Sequence, residues 1–336
     1  GLLDAWQIAR PSVEQDGHAY GTMIAFGTGG CLTAGNKVFN HKGELVNIED
    51  LTKDEGIIGF DETSGNYSKE NITYQQPYTE KETVKLITNS GRTIECSTDH
   101  PIYSPIFKNR GWNKYHKRQN RRIVGHGWKE AGDINKGDLI SVIDEIPLFG
   151  EKKVKDARLL GMLVGDGTYG SSTPKFSNCD KELWDYINNN YSSTVYLERE
   201  TKDGKIYKEA SISKFNDNLR KHDIFGQTKL EKRLPSDIHK WDKQSILEFI
   251  AGLYDTDGYI SFRSNSIREN KYLSEISVSQ ANLEILKELQ LVLQKFGIHG
   301  KLRTRQPREN NTKDVNEWYE FVISDCRSLT LFAENI

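Results

Sequence analysis

The chain has few cysteines, and no two of them lie close together in the sequence. Cys31, Cys96, Cys179 and Cys326 lie far apart, with no C-x-x-C among them. That pattern argues against a zinc site and against a disulfide framework, and it suits a reducing compartment. A cytoplasmic location is therefore expected. No run is long or apolar enough to cross a bilayer, and no stretch reads as a secretory leader, so no membrane partner is expected. Charge of one sign is also missing: 46 Lys and Arg stand against 48 Asp and Glu, a net charge of −2. The total neither demands nor excludes nucleic acid, so the distribution has to be read instead. The 336 residues are too many for one ordinary core, and two or more domains are expected.

One local absence is informative. Between Asp99 and Glu130 there is no acidic residue, while Lys108, Arg110, Lys114, Lys117, Arg118, Arg121, Arg122 and Lys129 all fall there, interleaved with Trp112, Tyr115 and Trp128. A basic and aromatic insert at about 107–129 suits contact with phosphates. A solvated loop is the alternative.

Two matched runs organise the second half. Leu159 to Gly167 reads Leu-Leu-Gly-Met-Leu-Val-Gly-Asp-Gly, and Ile250 to Gly258 reads Ile-Ala-Gly-Leu-Tyr-Asp-Thr-Asp-Gly. Gly161 and Gly165, and likewise Gly252 and Thr256, are four apart and share one helix face. Small residues on one face let two helix backbones approach closely. Asp166 and Asp257 then close their helices, with Gly167 and Gly258 expected as left-handed stops. If the helices pack parallel, two carboxylates meet at two negative helix ends, which is unfavourable without a cation. The pair therefore reads as an oxygen-donor metal site. One run alone would read as a buried helix with a polar stop; two matched runs favour the site.

These runs resemble the paired motifs of single-chain LAGLIDADG homing endonucleases. The resemblance implies interface helices whose final acidic residues bind Mg²⁺ at the scissile phosphates, here Asp166 and Asp257. It implies an α/β unit repeated about a pseudo-twofold axis, in two repeats at about 156–226 and 247–336, forming a saddle over double-stranded DNA. Flanking patterns recur in support. After the first run come a helix at Glu182–Ile187, strands at Thr194–Leu197 and Ala210–Ser213, and a helix from Asn216 to Phe225. After the second come a helix at Leu283–Leu293, strands at Lys301–Thr304 and Tyr319–Ile323, and a helix from Asp325. Lys301, Arg303 and Arg305 would face the groove. Lys232, in Lys232-Arg233-Leu234-Pro235, matches a lysine that the family often places beside the active site, though a basic linker would read the same way. No matching lysine is evident for the other half.

Residues 31 to about 148 alternate short apolar runs with turns at His41-Lys42-Gly43, Asn89-Ser90-Gly91 and Asn135 to Asp138, an all-β pattern. Strands are expected at Lys37–Phe39, Leu45–Ile48, Ile57–Phe60, Val84–Ile87, Thr93–Cys96 and Leu139–Val142. Cys31 to Val38 and Gly91 to Pro101, with Ser97-Thr98-Asp99-His100 inside, resemble the opening blocks of an intein, the Hint fold. Gly35 and Asn36 stand where many inteins have Asp-Thr. The resemblance implies that the Cys31 thiol attacks the Gly30 carbonyl, that His100 protonates the departing amide, and that Ser97 holds the carbonyl or orients His100. No cofactor is implied for that step. Cys96 reads as a core strand residue.

The expected architecture is an all-β, horseshoe-like Hint domain at 31–150, followed by a duplicated α/β endonuclease at 151–336. Residues 1–30, with one short strand at Met23–Phe26, resemble the segment of phage large-terminase ATPases that ends in Gly-Thr-Gly-Gly, which implies a terminase host. Residues 332–336, Phe-Ala-Glu-Asn-Ile, contain no His-Asn block. A truncated or split intein is therefore expected, partnered by a separate C-terminal segment. A DNA-binding or maturase-like saddle without catalysis, or a decayed endonuclease beside a processing domain, is the alternative function.

Overall fold

The structure is a computed structural model. It describes residues 14–15, 18–19, 32–62, 64, 66–73, 80–113, 118–170, 173–264, 272–306 and 317–336. The chain divides into two compact units, one of residues 1–88 and 92–144, the other of residues 89–91 and 145–336.

The described secondary structure of the first unit consists of antiparallel strand pairs and two 3₁₀ turns. β1 (Glu14–Gln15) pairs with β2 (His18–Ala19), and β3 (Lys37–Phe39) with β4 (Leu45–Asn47). β5 (Ile57–Phe60) pairs with β6 (Tyr67–Glu70), and β7 (Thr83–Ile87) with β8 (Thr93–Ser97). Gly43 and Gly91 have φ of 74° and 87°, the left-handed backbone that tight turns require of glycine. Cys96 is fully buried against Ile102 and Ala131, as a core strand residue should be. Leu139–Val142 forms no strand; the segment joins its neighbours through the Ser141 amide, which donates to the Tyr103 carbonyl at 2.9 Å.

The basic insert is not a loop. It is a long antiparallel ribbon of β9 (Pro101–Asn113) and β10 (Arg118–Glu130), with register shifts between Gln119 and Arg121 and between Ile123 and Gly125. Its base is an aromatic cluster in which Tyr103 packs on Phe60, His126 and Trp128, with ring centroids 5.0–5.6 Å apart. Cross-strand aromatic contacts of this kind stabilise a two-stranded ribbon. Strand propensity was masked in the sequence because charged residues interrupt the apolar alternation.

The second unit repeats one order of elements twice. The first copy is α1 (Ala157–Asp166), β11 (Gly167–Thr168), β12 (Lys175–Asn178), α2 (Lys181–Asn190), β13 (Ser193–Glu200), β14 (Ile206–Ile212) and α3 (Asn216–Lys221). The second is α4 (Lys243–Asp257), β15 (Gly258–Ser264), β16 (Tyr272–Gln280), α5 (Leu283–Gln294), β17 (Lys301–Arg305), β18 (Trp318–Ile323) and α6 (Cys326–Asn335). The sheets run β11-β12-β14-β13 and β15-β16-β18-β17, antiparallel throughout and identically connected. Side-chain caps start corresponding helices. Asp180 accepts from the Glu182 amide at 2.7 Å to begin α2, and Asn282 accepts from the Glu284 amide at 3.0 Å to begin α5. The helix expected from Asn216 to Phe225 ends at Lys221, where the chain turns through Asp223 at a φ of 57°.

α1 is largely apolar because most of it is buried: seven of its ten residues are buried, including Leu159, Leu160, Met162, Leu163 and Val164. The expected left-handed stops are absent. Gly167 (φ −90°, ψ 156°) and Gly258 (φ −78°, ψ 149°) are extended and lead straight into β11 and β15. Glycine is needed there for room, since a Cβ would overlap the carbonyl oxygen of Leu163 or of Tyr254.

The segment joining the copies is held by a partly buried polar network around Asp237. Asp237 Oδ1 lies 2.7 Å from His222 Nδ1, and Lys152 Nζ donates to Asp237 Oδ2 at 2.5 Å. Burial alone would raise this carboxyl's proton affinity, but His222, Lys152 and Trp241 outweigh burial and hold it well below the usual carboxylate range. A depressed pKa contributes stability that is present above the unfolded value of about 3.9 and is lost as pH falls through the folded value. Asp237→Asn should therefore lower the melting temperature at pH 7, and the gap to the parent should narrow as the pH is taken down towards about 2. A gap independent of pH would assign the loss to packing instead.

Candidate active site

The site begins with two helices whose backbones touch. A Cβ on Gly161 would overlap the Phe249 carbonyl oxygen, and one on Gly252 would overlap that of Arg158. One on Gly165 would overlap Thr256 Oγ1. Gly161 thus faces Phe249 and Leu253 while Gly165 faces Thr256 and Asp257, so α1 and α4 run parallel. Asp166 and Asp257 end these helices and act on one another electrostatically.

Each carboxylate is gripped through the same oxygen by an amide from its own sheet. Asn178, at the end of β12, donates to Asp166 Oδ2 at 2.6 Å. Gln280, at the end of β16, donates to Asp257 Oδ2. Lys232 is 7% exposed, donates to the Gly165 carbonyl at 2.5 Å, and sits 5.6 Å over the buried ring of Tyr169.

The electrostatics follow from burial. Asp257 is pushed up to about 7, first by desolvation and then by Asp166, against the pull of Lys232 and Gln280. Asp166 is raised by desolvation, against Asn178 and Lys232. Lys232 is lowered to about 8 by desolvation, although both aspartates favour its charge. Two crowded carboxylates that resist ionising are hard oxygen ligands, which fit a hard divalent cation such as Mg²⁺. Asp166 and Asp257 would hold it. Among the described residues no group of three or more His, Cys, Asp or Glu converges as a metal site, so the protein would supply a minority of the ligands.

Asn178 and Gln280 were missed in the sequence. Their signal was a second repeat, Ser177-Asn178-Cys179-Asp180 against Ser279-Gln280-Ala281-Asn282, in which an amide stands two residues before a helix cap. Lys301 is exposed, but the other two expected groove cations are engaged within their own sheet: Arg303 pairs with Glu275 at 2.9 Å and Arg305 with Glu320 at 2.8 Å. Glutamates on other strands of the sheet are a feature that a strand-by-strand reading cannot see.

Of the processing residues, Gly30 and Cys31 lie outside the described residues, as do Met23–Phe26. Leu32, the next residue along, bridges Cys96, the neighbour of Ser97. Asn36 fixes this entry: its Nδ2 donates to the carbonyls of Thr33 and Glu95, each at 2.8 Å, and its Oδ1 accepts from the Glu95 amide at 3.3 Å. Ser97 and His100 are buried at 1% and 5% exposure. The Ser97 carbonyl accepts the His100 amide at 3.0 Å, and its hydroxyl bonds to Asp99. In the ribbon, Arg121 and Arg122 are exposed, while Lys117 and the Arg118 side chain lie outside the described residues. No helix among the described residues is long and apolar enough to cross a membrane.

Comparison with known proteins gives three results. Residues 244–336 match the family described as LAGLIDADG-like domain. Among curated proteins, the chain is similar to the replication factor C small subunit of Methanocaldococcus jannaschii, 25% identical over 343 residues covering 92% of this chain and 16% of that protein. It is also similar to the replicative DNA helicase DnaB of Rhodothermus marinus, 22% identical over 325 residues covering 91% of this chain and 32% of that protein. The RecA protein of Mycobacterium tuberculosis is 24% identical over 236 residues, covering 64% of this chain and 29% of that protein. The chain thus spans between about a sixth and a third of the length of these relatives. Among solved structures, the meganuclease I-SmaMI bound to uncleavable DNA covers 55% of this chain and 85% of its own at 10% identity, with a TM-score of 0.33, too low to argue from.

Proposed function

We propose that the second unit makes a site-specific double-strand break in DNA with a divalent cation at Asp166 and Asp257. The observation that carries this reading is the junction of two glycine-packed parallel helices, where paired carboxylates, each gripped by an amide, meet one buried lysine. When bound, the cation supplies electrostatic stabilisation at the phosphate oxygens. Asn178 and Gln280 fix the rotamers of the two carboxylates. Lys232 offers a desolvated positive charge to an oxyanion, where such a charge counts for more than it does in water. A purified sample incubated with a plasmid library carrying randomised inserts should linearise particular members only when Mg²⁺ is added. Mg²⁺-independent cutting, or none above background, would overturn the reading.

The first unit is proposed to process the peptide bond at Gly30–Cys31. The Cys31 sulfur attacks the Gly30 carbonyl carbon, the amide C–N bond breaks, and a thioester forms. His100 delivers a proton to the departing nitrogen. The proximity of Leu32 to the strand that carries Ser97 and leads to His100 supports this reading. So does the range of the relatives, which carry a similar segment within proteins of otherwise different names. A segment shared by differently named proteins and making up a minor part of each fits an in-frame insert. The terminase host for residues 1–30 rests on the sequence resemblance.

The ribbon is proposed as a DNA arm. Lys108 stands directly opposite Arg122 in its register, and both are exposed. Like charges across a strand pair are destabilising, a cost that a bound polyanion removes. Replacing Lys108, Arg121 and Arg122 with serine should lower the slope of log affinity against log salt by about 2–3, near 0.9 per lost phosphate contact. An unchanged slope would return the ribbon to a purely structural role.

A further inference from the structure

The first sheet of the second unit has a polar face with an unusual charge arrangement. Phe176, Ala210 and Ile212 are fully buried and turn one face of the sheet to the core. Glu209 alternates with Ala210 and therefore belongs to the opposite face, as do Lys175, Tyr207 and Arg199 by register. At the bulge between Val195 and Leu197, Tyr196 stands half exposed. The Tyr196 hydroxyl donates to Glu209 Oε2 at 3.0 Å, and the Tyr207 hydroxyl donates to Oε1 at 2.9 Å. The nearby cations lie over the phenol rings: Lys175 Nζ is 5.2 Å from the Tyr196 centroid, and the Arg199 guanidinium is 4.9 Å from that of Tyr207. On the corresponding face of the second sheet the glutamates are handled differently, since Glu275 and Glu320 are each ion-paired to an arginine.

A carboxylate on a surface that meets DNA is repelled by phosphates and by the acceptor edges of guanine and thymine. It is tolerated where it accepts from a base amine. An ionised carboxylate has about four lone-pair sites, and the two phenols occupy two of them, one on each oxygen. The other two are left for a ligand, and both oxygens are locked in place. Cytosine itself carries only the N4 amine on its major-groove edge, whereas adenine sets its amine beside its own N7 acceptor, which repels a carboxylate and suits an amide. Lys175 and Arg199, stacked on either side, are available to phosphates and would fix the register.

We infer that Glu209, held by Tyr196 and Tyr207, is a specificity-determining residue that reads the N4 amine of one cytosine in the DNA target. This rests on the DNA reading above. The test is a binding selection from a randomised duplex library with the full chain. The unaltered protein should enrich a sequence with cytosine at one fixed position. Glu209→Gln should shift that position to adenine, with the preference for cytosine falling about ten-fold or more. Replacing Tyr196 and Tyr207 together with phenylalanine should flatten the preference at the same position without moving it to adenine. If Glu209→Gln leaves every position unchanged, or weakens all positions equally, the inference falls and the DNA reading stands. If the unaltered protein enriches no sequence at all, the DNA reading falls and this inference with it.

Discussion

Asp166→Asn and Asp257→Asn are each expected to abolish double-strand cleavage, by about 10³-fold or more on the scale of losing a preorganised electrostatic group. Both should leave target binding within a few-fold, because the ribbon and the sheet faces are untouched. The Asp257 variant should also behave unusually when cation-free. Its carboxyl is pushed up to about 7 by burial and by Asp166, so ionising it costs the fold stability. That cost is absent below the unfolded pKa of about 3.9 and is fully present once the pH exceeds the folded value. An amide removes it while keeping the shape. At pH 8 without Mg²⁺, Asp257→Asn should therefore melt a few degrees above the parent, and at pH 4 the difference should vanish. Added Mg²⁺ should reverse the order by stabilising the parent alone. A variant that cuts both strands at the parent rate would dismiss the two aspartates as the catalytic pair. A variant that melts lower at every pH would mean that the carboxylate is structural.

The second large effect concerns the first unit. On the processing reading, with an intein-type C-terminal segment added on a second chain together with dithiothreitol, a fragment ending at Gly30 should be released, detectable by its mass. Cys31→Ala should stop release, because no other group on that residue can take the acyl chain. His100→Ala should slow it by about 10²-fold or more, the usual scale for a lost general acid. Ser97 is harder to rank, since its hydroxyl already bonds to Asp99. Release at an undiminished rate in Cys31→Ala would identify the break as ordinary proteolysis among the glycines, and would end the processing reading for this unit.

What the sequence disclosed was what repeats and what lies close along the chain. The two apolar runs announced their helices, and the four-residue spacing of Gly161 and Gly165 announced their contact, because helix geometry turns sequence spacing directly into a shared face. Lys232 was recognisable through its Lys-Arg-Leu-Pro context. Other features depended on distant strands. Asn178 lies 12 residues from Asp166 and Gln280 lies 23 from Asp257, so no common offset pointed to them. Arg303 and Arg305 read as free groove cations because their glutamates belong to other strands of the sheet. The ribbon's strands went unread because its charges hid the strand period. Gly167 and Gly258 were assigned the wrong backbone for a physical reason: a helix that runs straight into a strand needs space at its end rather than a change of hand.

The helix contact also bears on how such a molecule can be divided and recombined. Gly161 admits a carbonyl from α4, while Gly252 admits one from α1. Each helix is therefore cut to the other's main chain, and neither surface is a general-purpose socket. The sheets carry no such mutual fit, for each is closed within its own repeat. In a chimera assembled from two such proteins, the sensible crossover points fall after the helices, so that both members of the pair come from one parent. A hybrid that joins α1 of one parent to α4 of another should collide wherever a residue larger than glycine stands at either of these two positions.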